Sequence, residues 1–379
     1  MWSKQWKTLI AFALGLGVAV PFVKPALPQI RSFNLIIALA PPGQVKFQKP
    51  NWSNFQPASI GNVLRGEDRL LVGSNATVEV LCSNWTTWKP EPGKTSIVNE
   101  GCPTTGDSRI IHSEDYTAPT RAANNQNAPT RAANNQNIPY LLSPRNTSLL
   151  DNRPTLRWHQ VEGAERYSVR IRGQASDLDW KTYTRETEIL YSGEQPLAPG
   201  YYSLIVETDK GKRSIEEGEL GFWILDEKKA TTLLKEVEEL QQKQLSEEAN
   251  SLALAHFYIS ENMKYDAIDI LEQSIKDGNT LVATYQLLGD TYTEVGLNRL
   301  AKERYLKGLE LAQAASDLNS QAEIQKRLVI ISLTLDSKDE ALQWLEKAQV
   351  SYRALGDESK VRQLEQQKSQ ILEAALDLN

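Results

Sequence analysis

Three histidines, His112, His159 and His256, are the residues best suited to acid–base or metal chemistry, and they lie in three separate parts of the chain. None belongs to an HExxH or comparable ligand spacing. The sequence also has no GxSxG elbow, no phosphate-binding glycine loop and no dinucleotide fingerprint. The many carboxylates of the C-terminal half are typical of solvated helix faces. The sequence therefore favours a protein that is not an enzyme and that holds no metal or cofactor.

Cys82 and Cys102 are the two cysteines of the chain. In an exported protein two cysteines are expected to form one disulfide, and closing a loop of this length would stabilise the fold by roughly 3 kcal/mol. A metal site is the alternative, but the pair has no CxxC spacing and only His112 lies near it in sequence. The sequence predicts a Cys82–Cys102 disulfide.

Trp85 and Trp88 form an aromatic pair directly after Cys82. Two tryptophans in a turn could stack on a sugar ring, which would suit a protein that binds carbohydrate at the cell envelope. The alternative is a hydrophobic plug beneath the loop that the disulfide closes, and this second interpretation is the one we favour.

The C-terminal half of the chain is periodic, and this period predicts the secondary-structure elements of that half. Matching residues recur 34 positions apart in three pairs, Tyr258 and Tyr292, Leu254 and Leu288, and Ala267 and Ala301. This is the period of a helix–turn–helix solenoid. Each helix pair has an apolar face that it cannot bury alone, so neighbouring pairs stack and share one core.

The periodic part resembles the tetratricopeptide repeat (TPR) family. Residues 285–292 match the first helix of such a repeat, and Gly289 and Ala301 stand where small side chains let two helices approach closely. The resemblance implies units at about 248–281, 282–315 and 322–355, the last one offset by a six-residue insertion at 316–321, and a capping helix at 357–377. The alternative is an ordinary helical bundle with accidental spacing.

A TPR solenoid has a concave groove lined by the first helix of each unit, and the resemblance makes this groove the expected site for a protein partner. The groove positions are occupied here by Ala249, Leu252, His256, Ile259 and Ser260, by Ala283, Gln286, Asp290, Thr293 and Glu294, and by Glu323, Lys326, Ile330, Leu333 and Thr334. The lysine–asparagine clamp of chaperone-binding TPRs is absent, which favours an apolar or amphipathic partner. The alternative is that the terminal helix or a β-domain of the same chain fills the groove.

Two small all-β domains are predicted before the helices. In residues 41–116 a glycine-bounded strand pair, 60–70, precedes the alternating stretch 76–82; this order resembles the small β-domain of FecR-like periplasmic proteins. In residues 139–226 the stretch 197–202 resembles the tyrosine corner of fibronectin type III and immunoglobulin-like sandwiches. Trp158 and Trp223 are expected in the core of this second domain.

Two further segments complete the predicted organisation. Residues 117–138 contain two identical decapeptides, 118–127 and 128–137, whose Asn, Pro and Ala content is typical of a linker. Near the start of residues 1–40, Lys4 and Lys7 precede an uncharged apolar run, as in a signal peptide. The small-x-small sequence at 38–40 is a possible cleavage site, although Pro41 follows it. An uncleaved membrane anchor is the alternative.

The formal net charge of −6 comes from the helical part, because residues 227–379 contain 18 basic and 26 acidic side chains. No basic stripe is present, so nucleic-acid binding is not expected. The predicted fold is multidomain, a FecR-like β-domain and an Ig/FnIII-like sandwich followed by an all-α TPR solenoid at 227–379. We expect an exported scaffold of the bacterial periplasm or envelope that binds a protein. The alternatives are a FecR-like signal transducer and an envelope carbohydrate-binding protein.

Overall fold

The computed structural model of the chain describes residues 30–32, 34–103, 111–113, 135–174, 177–218 and 220–376. Within these ranges β-strands occupy the first part of the chain and helices the second. The predicted leader up to residue 29 and most of the decapeptide linker lie outside the described residues. No helix in the described part has both the length and the hydrophobicity needed to span a bilayer.

The first β-unit, residues 30–113, consists of two four-stranded sheets and one strand pair. The sheet orders are β5-β2-β7-β8 and β4-β3-β6-β9, and β1 pairs with β10. The strands are β1 (Ile30–Ser32), β2 (Asn34–Ala40), β3 (Val45–Gln48), β4 (Gln56–Pro57), β5 (Val63–Leu64), β6 (Arg69–Val72), β7 (Thr77–Leu81), β8 (Thr87–Trp88), β9 (Thr95–Ile97) and β10 (Ile111–Ser113), and the short helix α1 (Val98–Gly101) follows β9. Alternating residues of these strands, such as Val78 and Val80, form the buried core.

Strand β2 places the beginning of this unit earlier than the predicted boundary at residue 40. It lies between β5 and β7 in its sheet, and Leu35 and Ile36 are fully buried. The folded unit therefore includes residues 34–40, which the sequence analysis assigned to the leader. A cut after Ala40 would remove an internal strand.

The second β-unit, residues 139–224, consists of a three-stranded sheet, β11-β13-β16, and a five-stranded sheet, β12-β18-β17-β14-β15. One apolar cluster is shared by both sheets. The strands are β11 (Leu141–Ser143), β12 (Thr147–Leu149), β13 (Thr155–Trp158), β14 (Tyr167–Gly173), β15 (Asp179–Thr184), β16 (Glu188–Leu190), β17 (Gly200–Thr208) and β18 (Gly221–Ile224). Near the start of β17, the Tyr202 hydroxyl donates a hydrogen bond of 2.7 Å to the carbonyl of Ala198, which precedes the strand.

The two tryptophans expected in this core have different positions. Trp158 is buried, whereas 46% of Trp223 is exposed. Trp223 lies between the buried residues Phe222 and Ile224 of β18, and successive strand side chains point to opposite faces. The prediction for Trp223 is therefore wrong, and its ring lies against Tyr201 on the outer face, with ring centroids 4.6 Å apart.

Eight helices make up the C-terminal half of the described chain. They are α2 (Glu227–Gln241), α3 (Glu247–Ser260), α4 (Lys264–Lys276), α5 (Val282–Glu294), α6 (Asn298–Ala314), α7 (Leu318–Thr334), α8 (Lys338–Leu355) and α9 (Glu358–Leu376). The carboxylate of Asp226 caps α2 by accepting from the Lys229 amide at 2.8 Å. Short turns join the helices, and consecutive helices pack on one another.

The arrangement is consistent with a helical repeat of three pairs, α3/α4, α5/α6 and α7/α8. The insertion at 316–321 lengthens the helices around it: α6 and α7 have 17 residues each, whereas α4 and α5 have 13. Asp317 caps α7 through the amide of Ser320, at 3.0 Å. The extra residues therefore extend existing helices and leave the stacking order intact.

Candidate functional site: the groove of the helical repeat

The predicted groove residues lie on α3, α5 and α7, the first helix of each pair. On α3, Leu252 and His256 are buried and Ile259 is half-buried. On α5, Thr293 is buried and Gln286, Asp290 and Glu294 are half-buried; on α7, Ile330 is buried and Glu323 and Lys326 are half-buried. None of these side chains is fully exposed.

At one end of the groove, a turn of the first β-unit lies against α3 and α5. A Cβ atom added to Gly61 would overlap Ala283 Cβ and lie 2.8 Å from Leu252 Cδ1. Gly61 also has a positive φ of 87°, which glycine adopts without steric cost. The turn therefore approaches the helices so closely that no side chain fits between them.

Trp85 makes the second contact and inserts beside α3. Its ring meets the ring of Phe257 edge-on, with centroids 5.2 Å apart and an angle of 71°, and only 3% of the residue is exposed. Leu35 and Leu81 of the first β-unit belong to the same apolar cluster as Phe257. The β-unit and the first helix pair thus share one hydrophobic core.

The third contact lies at the other end of the repeat, on α7 and α8. The Lys49 ammonium donates a hydrogen bond of 3.3 Å to Asn319 Oδ1, and the amide of Ser53 donates one of 3.2 Å to the carbonyl of Leu355. Phe47 and Trp52 belong to one buried cluster with Tyr352. The first β-unit therefore spans the repeat from its first pair to its third.

Charged groups along the groove wall are paired with one another. Arg327 Nε donates to Asp290 Oδ1 at 2.5 Å and Arg327 Nη1 to Glu323 Oε2 at 3.1 Å. The hydroxyls of Tyr305 and Tyr352 donate to Asp290 at 2.6 Å and to Glu323 at 2.9 Å. The network joins α5, α6, α7 and α8, so its first effect is to fix how the second and third pairs stack.

The surroundings of Glu323 determine its ionisation. Burial by itself would raise the pKa of this carboxyl, but the charges of Lys49, Lys326 and Arg327 outweigh burial and lower the pKa below its ordinary value. Lys49 belongs to the first β-unit, so the unit supplies a cation to an acidic position of the groove. Burial and the neighbouring carboxylates raise the pKa of Tyr305 and of Tyr352, which therefore remain hydrogen-bond donors.

A similar arrangement joins the first pair to the second. Arg304 Nη2 lies 2.8 Å from Glu272 Oε1, and the Tyr292 hydroxyl donates to the same oxygen at 2.7 Å. Each junction between pairs therefore has an arginine and a tyrosine on a shared carboxylate. Such partly buried, charge-assisted hydrogen bonds favour one defined arrangement of the helices.

The second β-unit packs on the turns at the edge of the repeat. The guanidinium of Arg145 donates to the carbonyl of Val295. The amide of Ser148 donates to the carbonyl of Asn262 at 2.8 Å, and the amide of Tyr265 donates to the Thr147 hydroxyl at 3.1 Å. Both β-units therefore contact the helical repeat, one across its groove and the other along its turns.

In the described part of the chain, no group of three His, Cys, Asp or Glu side chains is arranged to hold a metal ion. A cleft of about 290 Å³ lies on the outer face of α6, lined by residues that include Arg299, Lys302, Leu306 and Leu335. His159 stacks on Tyr140, and burial lowers its pKa.

Cys82 and Cys102 form the predicted disulfide, with Cα atoms 5.2 Å apart. Trp88 covers this loop, because a Cβ atom added to Gly101 would collide with its ring. With Trp85 buried against α3, the tryptophan pair is a plug and not an exposed platform for a sugar. The sequence-based alternative of carbohydrate binding at this pair has no support in the structure.

No family model matches the chain, and no curated protein matches it. Among solved structures, a crystal structure of MamA covers 36% of this chain and 79% of its own, with 16% identity and a TM-score of 0.25. A structure of MamA MSR-1 covers 39% and 91%, with 21% identity and a TM-score of 0.26. These scores are too low to support an argument about fold or function.

The sequence analysis missed the residues that fill the groove. Lys49, Gly61 and Trp85 come from three different loops or turns, and Arg327 lies outside the groove positions that the TPR resemblance names. Gly61 was noted only as a strand boundary. A local signal for the contacts of Lys49, Gly61 and Trp85 is hard to find, because each of them pairs residues that are more than 150 positions apart.

Proposed function

We propose that this chain is a non-enzymatic protein-interaction scaffold of the bacterial cell envelope, built as an exported TPR protein with a FecR-like and an Ig/FnIII-like β-domain. The observation that carries the proposal is the stack of three helix pairs, α3 to α8. Such stacks create extended concave surfaces that bind other proteins. The partner would contact the groove through Gln286, Glu294 and Lys326, which are half-buried in the present arrangement.

The envelope location rests on two observations. The basic and apolar N-terminus resembles a secretory signal, and disulfides such as Cys82–Cys102 persist in oxidising compartments. Whether the leader is removed or retained as an anchor, the folded part would lie outside the cytoplasm. An epitope-tagged chain should fractionate with the periplasm or the envelope and should contain no free thiol.

A FecR-like transducer is the second candidate function. The feature in its favour is the order of sequence patterns in the first β-unit, a glycine-bounded strand pair at 60–70 followed by the alternating stretch 76–82. The resemblance to FecR-like proteins covers only residues 41–116, whereas the stacked helix pairs α3 to α8 make up most of the second half of the chain. The scaffold is therefore the function we propose first.

Site-specific photo-crosslinking in the intact envelope tests the scaffold. A photoreactive residue replaces Gln286 in the groove, and the matched control carries it at Glu303, which is exposed on α6. The expected result is a defined crosslinked protein from position 286 and none from position 303. Absence of a crosslinked protein from positions 286, 294 and 326 would remove the groove as a partner site.

A further inference from the structure

The first β-unit contacts the groove through three separate segments. The loop 49–53 lies on α7 and α8, the turn at Gly61 lies on α3 and α5, and Trp85 lies on α3. Adjacent positions of all three helix pairs are therefore covered by one folded unit. A contact confined to one loop could be incidental, whereas three contacts along the full groove indicate a fitted surface.

The fit is both steric and electrostatic. Gly61 has no side chain where it meets Ala283 and Leu252. Lys49 lies at the α7 end of the groove, where it donates to Asn319 and, with Lys326 and Arg327, lowers the pKa of Glu323. The groove wall thus meets the closely packed turn at Gly61 at one end and a lysine at the other. These are the properties of an amphipathic ligand with one cation.

We propose that the first β-unit is an internal ligand of the groove, so that the chain is autoinhibited and an outside protein reaches the groove only when this unit leaves. The inference rests on the proposed function in taking the groove as the partner site. A tethered ligand has an effective concentration on the order of 1 mM. A partner present at about 1 µM would therefore need roughly thousandfold higher affinity to displace it.

Thiol labelling of the full chain measures whether the groove is closed. Both natural cysteines are in the disulfide, so a single new cysteine reports on its own site. Gln286→Cys places the thiol one turn from Ala283 on the same face of α5, and Glu303→Cys is the exposed reference. In the closed chain the maleimide rate at position 286 should be at least about tenfold below the rate at position 303.

Two substitutions are expected to open the groove. Ala283→Leu fills the space that Gly61 occupies, and Lys49→Glu places a carboxylate beside Glu323. Each should raise labelling at Gln286→Cys about tenfold or more. The matched controls are Ala314→Leu, at the exposed end of α6, and Lys46→Glu, on the exposed side of β3; both should leave the rate unchanged.

Each outcome of the labelling experiment either supports or overturns the inference. Equal labelling rates at positions 286 and 303 in the otherwise unchanged chain would overturn the inference, as would slow labelling that neither opening variant alters. If Ala283→Leu loses its helical circular dichroism, Lys49→Glu decides, because it changes no helix residue. If the opening variants label faster as expected but no crosslinked partner is found, the internal ligand is kept and the proposed function is removed. If a partner is crosslinked at position 286 while labelling stays slow in both opening variants, the proposed function is kept and the internal ligand is removed.

Discussion

The two glycines inside helices of the second pair allow a matched test of how closely the helices pack. Gly289 lies in α5, and a Cβ atom added there would be 2.5 Å from Cε1 of Tyr305. Gly308 lies in α6, and its added Cβ would be 3.2 Å from Tyr285 Cβ and 3.3 Å from Ile324 Cδ1. Alanine at either position gains about 1 kcal/mol of helix propensity.

The cost of the added methyl group differs between the two sites. At position 289 the ring of Tyr305 must move, which costs about 1–3 kcal/mol for overpacking. The movement also weakens the bond from Tyr305 to the Asp290 carboxylate, which is worth about 1.5–3 kcal/mol. At position 308 the side chains of Tyr285 and Ile324 need to move by only a few tenths of an ångström to make room for the methyl group. We therefore expect Gly289→Ala to be destabilising by about 1–3 kcal/mol and Gly308→Ala to lie between neutral and about 1 kcal/mol stabilising.

Urea unfolding followed by circular dichroism at a helical wavelength measures the difference. The midpoint for Gly289→Ala should be lower than for the unchanged chain and for Gly308→Ala, with the slope of the transition unchanged. A midpoint for Gly289→Ala equal to or above that of Gly308→Ala would show that the α5/α6 contact is looser than this structure indicates. It would also refute the assignment of Gly289 to the close approach of a repeat.

Three further results are expected. Burial and the nearby carboxylates of Asp269 and Asp151 raise the pKa of Asp266 to about 6. The folded chain favours the protonated carboxyl, so the stability of the fold that depends on this group is present at low pH and is lost as the pH rises through 6. Asp266→Asn should therefore gain about 1–3 kcal/mol over the unchanged chain between pH 4 and 7, and a difference independent of pH in urea unfolding would contradict this. A chain that begins at Pro41 should lack a protease-resistant first β-unit, whereas one that begins at Ile30 should retain it, because β2 lies inside a sheet. Deleting one decapeptide copy should leave the thermal midpoint within about 1 °C, since loop entropy changes slowly with length; a larger loss would mean that the segment is packed.

The sequence predicted the helical repeat because the signal is local and periodic. Small residues at Gly289 and Ala301 and large ones at Tyr292 and Tyr305 recur where one helix must pack on the next. The starts of two helices are also set locally, because the side chains of Asp226 and Ser246 accept from amides in the first turn. Residues 316–321 interrupt the 34-residue period in the sequence, but the lengths of the helices on either side of them depend on packing that no local pattern specifies.

The β-units were harder to delimit from the sequence. Residues 34–40 are as apolar as a leader and are followed by Pro41, so the same pattern fits a cleavage region and an internal strand. Only pairing with β5 and β7 distinguishes the two. For Trp223 the information was present, because alternation in β18 turns it outward once Phe222 and Ile224 are taken as core.

The groove residues show why residue types alone did not decide between an outside partner and a β-domain of the same chain. Asp290 and Glu323 were interpreted as side chains available to a partner, yet Arg327, Tyr305 and Tyr352 already satisfy them. A peptide that competed for these carboxylates would have to break partly buried, charge-assisted bonds, which costs more than it returns. Lys49 avoids this cost because it adds a cation to Glu323 without removing Arg327. An outside ligand of this network would therefore need to add a cation beside Glu323 without displacing Arg327, as Lys49 of the first β-unit does.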